Sequence, residues 1–265
     1  MANYIDQLGT SHTFEKQPVR IVSLVPSQTE LLYDLGLEDN IVGITKFCVH
    51  PVHFKASKTI VGGTKNIKFD KIKALQPDII ICNKEENTKE IVEELTQICP
   101  VWVTDIYTIA DNQQMISDFG QLFNKRTEAQ KWIDKINFAY QDFQHFIKDK
   151  PIKKAAYFIW ANPYMVAGNR TFINELLQIN HFQNMYANKE SRYPEIELKK
   201  IRLEGDPDYV FLSSEPFPFK DKHASEIGRF THHAKTVFVD GEMFSWYGSR
   251  LLKAFDYFKL LHSKI

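Results

Sequence analysis

Cys48 and His50 are the side chains of the first half best suited to soft-metal or nucleophilic chemistry. They alternate within Lys46-Phe47-Cys48-Val49-His50-Pro51, so an extended backbone would point both the same way. A thiol and an imidazole on one side suit a soft-metal or metal–chelate contact. A complete metal site needs more ligands than this pair, and no second pair lies nearby, so the loop reads first as the lining of a pocket and second as a metal ligand set. Residues two apart on one strand rarely meet as nucleophile and base, which argues against an enzyme. No Gly-x-Ser-x-Gly elbow, zinc-protease helix or dinucleotide fingerprint is present. Ile60-Val61-Gly62-Gly63-Thr64-Lys65-Asn66 lacks both the GxGxxG spacing and the ending of a P-loop, so it reads as a tight turn.

Two carboxylates share a setting. Pro77-Asp78 opens the apolar run Ile79-Ile80-Ile81-Cys82, and Glu85 follows seven residues after the aspartate. Pro207-Asp208 opens Tyr209 to Leu212, and Glu215 follows at the same offset. Glu85 and Glu215 read either as solvated loop carboxylates or as ligand contacts. The repeated order of helix, Pro-Asp turn, strand and polar loop supports two related halves.

The elements that position these residues alternate between strand and helix. Val19–Val25, Ile41–Ile44, Ile79–Cys82 and Pro100–Val103 read as strands of the first half. Lys154–Ile159, Tyr209–Leu212 and Thr236–Val239 read as strands of the second. Such alternation calls for α/β architecture with parallel sheets and ligands at the strands' carboxyl ends. Pro26-Ser27 break the first strand, and Ser27 reads as the cap of a helix over Gln28–Leu35. A helix N-terminus after a strand offers free N–H groups to a ligand, and an ordinary βα turn is the other reading. Between the halves, Ile109 to Lys148 holds no Pro, with apolar residues at helical spacing. It reads as a helix to about Phe123, a break at Asn124, and a long helix capped by Thr127 that runs to Lys148. The expected organisation is residues 1–107, a linking helix region 108–150, and residues 151–265.

A chain of 265 residues with 25% charged residues and zero net charge gives no electrostatic case for nucleic acid or an anionic membrane surface. Cys48, Cys82 and Cys99, odd in number and irregular in spacing, argue against a disulfide framework or a CxxC zinc site. Twenty Phe read mainly as core, with Trp and Tyr near loops as ligand contacts. No apolar run is long enough to span a bilayer, and the start lacks the basic patch and apolar core of a secretory signal. The expected location is the periplasm if a signal has been removed and the cytoplasm if Met1 is the native start.

Ile21-Val22-Ser23-Leu24-Val25-Pro26-Ser27-Gln28-Thr29-Glu30 resembles the opening of helical-backbone (class III) periplasmic binding proteins. These serve ATP-driven importers of cobalamin, haem and ferric siderophores. Val61-Gly62-Gly63-Thr64, Leu75-Gln76-Pro77-Asp78, Phe158-Ile159-Trp160, Ser213-Ser214-Glu215-Pro216 and Ser245-Trp246-Tyr247-Gly248-Ser249-Arg250 continue the likeness over nearly the whole chain. The resemblance implies two Rossmann-like lobes with parallel sheets, joined by one long backbone helix, with a ligand cleft between the lobes. It implies no catalysis and no resident cofactor. The implied ligand is a cobalt- or iron-containing chelate, a corrinoid first and then haem or a ferric siderophore.

Carried over residue by residue, the first-lobe contacts are Ser27, Phe47, Cys48, His50, Glu85, Glu86 and Tyr107. The second-lobe contacts are Trp160, Tyr164, Tyr193, Ser214, Glu215, Trp246, Tyr247 and Arg250. Trp and Tyr would cover a flat macrocycle, and Arg250 would pair with an anionic substituent. Expected partners are that ligand and an ABC transporter permease, with the receptor itself a monomer. Glu90 and Glu226 stand where the family docks through one acidic residue on each lobe. The alternatives are an intracellular corrinoid or chelate carrier, an enzyme using the cleft, and direct binding of a bare ion by His50, Glu85 and Glu215.

Overall fold

The computed structural model describes residues 2–265. The chain folds into two compact units, Met1–Phe138 with Tyr247–Leu252, and Ala139–Trp246 with Lys253–Ile265.

The first unit begins with an antiparallel hairpin of β1 (Ala2–Ile5) and β2 (Ser11–Phe14). Asp6 closes it: its carboxylate accepts the Leu8 and Thr10 N–H groups at 3.0 and 2.9 Å and reaches the Val103 N–H at 3.2 Å. Then follow β3 (Ile21–Ser23), α1 (Pro26–Asp34), β4 (Ile41–Ile44), α2 (Phe54–Ser57) and β5 (Thr59–Ile60). Next come α3 (Phe69–Leu75), β6 (Ile79–Asn83), α4 (Lys89–Leu95), β7 (Val101–Thr104) and α5 (Ile109–Leu122). The five strands β3 to β7 form a parallel sheet in the order β5-β4-β3-β6-β7. Ile79, Ile80, Ile81 and Cys82 are all fully buried, as a strand covered on both faces requires. The strand order reverses at β3, and in such sheets the crevice for a ligand opens at that carboxyl end.

Local chemistry explains where these elements start and stop. Pro26 occupies the first turn of α1, a position that needs no N–H, and Val25 is the cap residue. Ser27 therefore lies inside the helix, not at its cap as the sequence suggested. Thr108 caps α5 in a reciprocal box with Asp111. Asn124 then turns the chain with φ +53°, and α6 (Arg126–Ile147) begins one residue ahead of Thr127, the expected cap. Gly120 has no substitute at the α5–α6 crossing: a Cβ there would lie 2.5 Å from the Ala129 Cβ.

The second unit contains β8 (Lys153–Trp160), β9 (Met165–Val166), α7 (Phe172–Ile179), β10 (Phe182–Asn184) and α8 (Ile201–Glu204). It continues with β11 (Tyr209–Ser213), α9 (Asp221–Gly228), β12 (Lys235–Val239), α10 (Gly241–Ser245) and α11 (Leu251–Lys264). Its sheet is parallel in the order β10-β8-β11-β12, with β9 antiparallel on β8. Among the described residues no helix is long and apolar enough to cross a membrane.

The two Pro-Asp turns prove to be one device used twice. The Asp78 N–H donates to the Arg20 carbonyl at 2.9 Å, and its carboxylate accepts the Val19 and Arg20 N–H groups. The Asp208 N–H donates to the Lys154 carbonyl at 2.9 Å, and its carboxylate accepts the Lys154 N–H. Each aspartate thus fixes the register of the central strand pair by holding the backbone of the neighbouring strand's entry.

Candidate functional site

In the first unit the candidate residues gather at the carboxyl edge of the sheet. Gln28, fully buried in α1, donates to the Thr104 hydroxyl at 2.5 Å and to the Tyr247 hydroxyl at 3.2 Å. Tyr247 is only 7% exposed. Burial, reinforced by the Glu86 charge, pushes its phenol far above the usual range, so it stays neutral. Ser27 is buried beside it. Phe47 behaves differently: its ring is 49% exposed, with the Lys46 ammonium 4.9 Å from its centroid.

Glu85 and Glu86 follow β6 in a turn that Asn83 organises. The Asn83 Oδ1 accepts the Glu85 and Glu86 N–H groups at 2.9 and 3.3 Å, an Asx-turn geometry. Both glutamates are half-buried. Burial raises the Glu86 carboxyl pKa, with Lys65 acting in the opposite direction. The Tyr107 hydroxyl donates to Asp105 at 3.0 Å.

Two expectations for this unit are corrected. Segment 46–51 is a turn, with the Cys48 N–H on the Thr45 carbonyl at 3.1 Å, so Cys48 and His50 are not aligned on a strand. Cys48 is fully buried against the Thr29 and Thr45 hydroxyls at 3.2 Å each, and burial raises its thiol pKa. It packs the loop from inside; His50 is half-buried. Among the described residues no three His, Cys, Asp or Glu side chains group as metal ligands. Arg250 is the second correction. It closes a bidentate pair on Glu30 inside the first unit and does not stand ready for an anionic substituent.

The second unit sets a different array at its own carboxyl edge. Trp160 ends β8 with 40% of its surface exposed and meets Phe217 edge-on at 5.4 Å. Phe217 stands between Pro216 and Pro218 and packs on Phe219 at 4.9 Å. The sequence reading did not single out Phe217, although a ring flanked by two prolines signals a backbone with little freedom. Ser213 mirrors Asn83: its hydroxyl donates to the Glu215 carbonyl at 2.6 Å and so shapes the loop. The Ser214 hydroxyl accepts the Gly241 N–H at 2.9 Å while the residue itself is exposed.

Glu215 is a structural acceptor as well as a loop carboxylate. Its Oε1 accepts the Trp246 indole N–H at 2.7 Å and the Ser245 hydroxyl at 3.2 Å. Trp246 is 8% exposed, so its ring is packed inside where the sequence suggested a ring presented to ligand. The Tyr164 hydroxyl donates to Glu226 at 2.7 Å, and burial together with that carboxylate holds its phenol well above the usual range. Tyr193 is half-buried, its N–H on the Ser191 hydroxyl at 3.2 Å. Glu90 lies exposed in the first turn of α4.

Taken unit by unit, the surfaces left for a ligand are aromatic and carboxylate. The first unit contributes Phe47, Glu85 and Glu86, and the second contributes Ser214 and the Trp160–Phe217 ring pair. Buried hydrogen bonds hold the loops beneath them, so these surfaces are preorganised for binding.

Known proteins are similar to this chain in sequence over most of its length. An ABC transporter substrate-binding lipoprotein of Bacillus subtilis is 26% identical over 258 residues, covering 92% of this chain and 80% of its own. A vitamin B12-binding protein of Vibrio parahaemolyticus is 25% identical over 219 residues, 79% of this chain and 76% of its own. The crystal structure of the periplasmic vitamin B12 binding protein of Vibrio cholerae matches the fold with a TM-score of 0.80 at 19% identity, covering 93% of this chain and 98% of its own. The sequence profile described as periplasmic binding protein matches residues 21–235.

Proposed function

Because the chain belongs to the periplasmic binding protein family, we propose that it captures a metal chelate or macrocycle for an ATP-driven importer. A corrinoid is the first candidate, with haem and ferric siderophores next. The observation that carries this reading is the Trp160–Phe217 pair at the carboxyl edge of the second unit. An indole left 40% exposed and braced by a second ring offers a broad, rigid apolar contact for a flat conjugated ligand. The names of the relatives in Vibrio support a corrinoid, and that of the Bacillus relative supports an importer.

The reading includes no catalytic step. The one candidate nucleophile, Cys48, is buried with a raised thiol pKa, the reverse of an activated thiolate. The chelate's cobalt or iron is cargo held by its own ligands, and the receptor works as a monomer.

Titration with cyanocobalamin, dicyanocobinamide, haemin and ferric chelates, followed by tryptophan quenching and calorimetry, tests the proposal. Saturable binding of at least one of them is expected. Failure of all of them at micromolar concentrations would sink it.

A further inference from the structure

Beside Phe47, the first unit holds a cavity of about 720 Å³, within the usual range for small-molecule sites. Its walls include Lys46, Lys65, Lys68 and Lys71, and no acidic residue. In a chain of zero net charge, four lysines around one cavity are a local concentration of positive potential. Lys71 Nζ donates to the Ile60 carbonyl at 3.3 Å, and Lys46 lies over the Phe47 ring. Lys65 also acts on the neighbouring Glu86 carboxyl, which leaves Lys46, Lys68 and Lys71 as the main source of that potential.

The loop across this cavity is fixed from several sides. The Lys46 N–H donates to the Gly62 carbonyl and the Gly63 N–H to the Asn66 carbonyl, each at 2.8 Å. Asn87 holds the Thr64 carbonyl at 2.9 Å. Gly62 has φ +119°, and a Cβ there would lie 2.4 Å from the Asn66 carbonyl oxygen, so only glycine makes this turn. Thr64, Lys65 and Asn66 form the bend of this turn, with Lys65 and Asn66 exposed.

We propose that this cavity is an anion subsite that seats phosphate or carboxylate groups on the rim of the captured chelate. The inference rests on the chelate-binding reading and adds to it a preference for ligands with an anionic periphery. The lysines supply the charge, and Phe47 forms an apolar wall of the subsite.

Two ligand pairs test it on the full-length chain. Cyanocobalamin carries a phosphodiester that dicyanocobinamide lacks, and haemin carries two carboxylates that its dimethyl ester masks. In at least one pair the anionic member is expected to bind about tenfold tighter. That preference should weaken in high salt, vanish in a Lys65→Ala/Lys68→Ala variant and persist in Lys65→Arg/Lys68→Arg. The pair that shows it tells phosphate from carboxylate. No preference in either pair, or one that survives the alanine variant, overturns the subsite while leaving chelate capture standing. Failure of the wild-type protein to bind any of the four overturns the function and the subsite together.

Discussion

Arg250 and Glu30 form a fork-to-fork pair, Nε to Oε2 at 2.7 Å and Nη2 to Oε1 at 2.8 Å. The side chains are only 4% and 6% exposed. Removing one member of such a buried pair is costly, while joint replacement can be tolerated.

Arg250→Ala is therefore expected to destabilise the protein by about 3–5 kcal/mol through loss of the charge paired with the buried Glu30 carboxylate. Urea unfolding reads this as a lower midpoint. Glu30→Leu/Arg250→Met should recover most of the loss. A single variant of wild-type stability but reduced ligand affinity would instead place Arg250 in contact with ligand.

Trp160 and Trp246 predict opposite outcomes although both sit near the carboxyl edge. Trp160→Ala removes an exposed ring and is expected to weaken chelate binding by about 2 kcal/mol, as for a central aromatic anchor. Its unfolding midpoint should barely move. Trp246→Phe removes the donor to Glu215 from a buried setting and is expected to cost stability, about 1–3 kcal/mol. Parallel calorimetric titration and urea melts on the two variants separate ligand contact from packing.

The contrast between these tryptophans shows where the sequence was legible. Alternation of apolar runs with helical periodicity exposed both parallel sheets, because strands buried on two faces cannot hide their composition. The matched Pro-Asp turns were visible as well, since register locks need fixed residues at fixed offsets. Burial at the loop tips was not visible. Whether Trp246 faces ligand or core depends on an acceptor thirty-one positions away, Glu215, and Arg250 on one in α1. Cys48 was misread because one turn through Thr45 cancels strand alternation. The lysine cavity escaped notice since Lys46 and Lys65 come from separate loops.

Gly241 tests how tightly the Glu215 loop is built. A Cβ there would stand 2.5 Å from the Ser213 hydroxyl and 2.6 Å from the Glu215 Cγ. Gly241→Ala is expected to displace that loop and to cost about 1–3 kcal/mol by overpacking. Chelate affinity should fall along with stability, because the same loop carries Phe217. A variant with unchanged melting and binding would show that the loop relaxes freely.

His262 gives the second unit an acid-sensitive component. Its ring stacks on Phe182 at 5.1 Å, and its Nε2 lies 3.2 Å from the Asn180 Oδ1. Burial first, then the Lys150 and His181 charges, lower its pKa from 6.5 to about 4. The unfolded chain takes up this proton at a higher pH than the folded one. The contribution is present in full above pH 6.5 and is lost as pH falls towards about 4. His262→Phe should flatten the pH dependence of the urea midpoint across that window, and an unchanged slope would refute the assignment.

Glu86 has the opposite sign. Burial raises its carboxyl pKa above the ordinary 4.5, so the folded state favours the protonated acid. That preference stabilises the fold below the ordinary pKa and is lost as pH rises through the folded value. Glu86→Gln keeps the neutral shape, so it is expected to raise the urea midpoint at pH 8 and to change little at pH 4. Removing the negative charge beside Tyr247 should also lower the pH at which that phenol ionises, since Glu86 adds to the upward push. Midpoints that shift equally at both pH values would mean the carboxyl is not held in its neutral form by the fold.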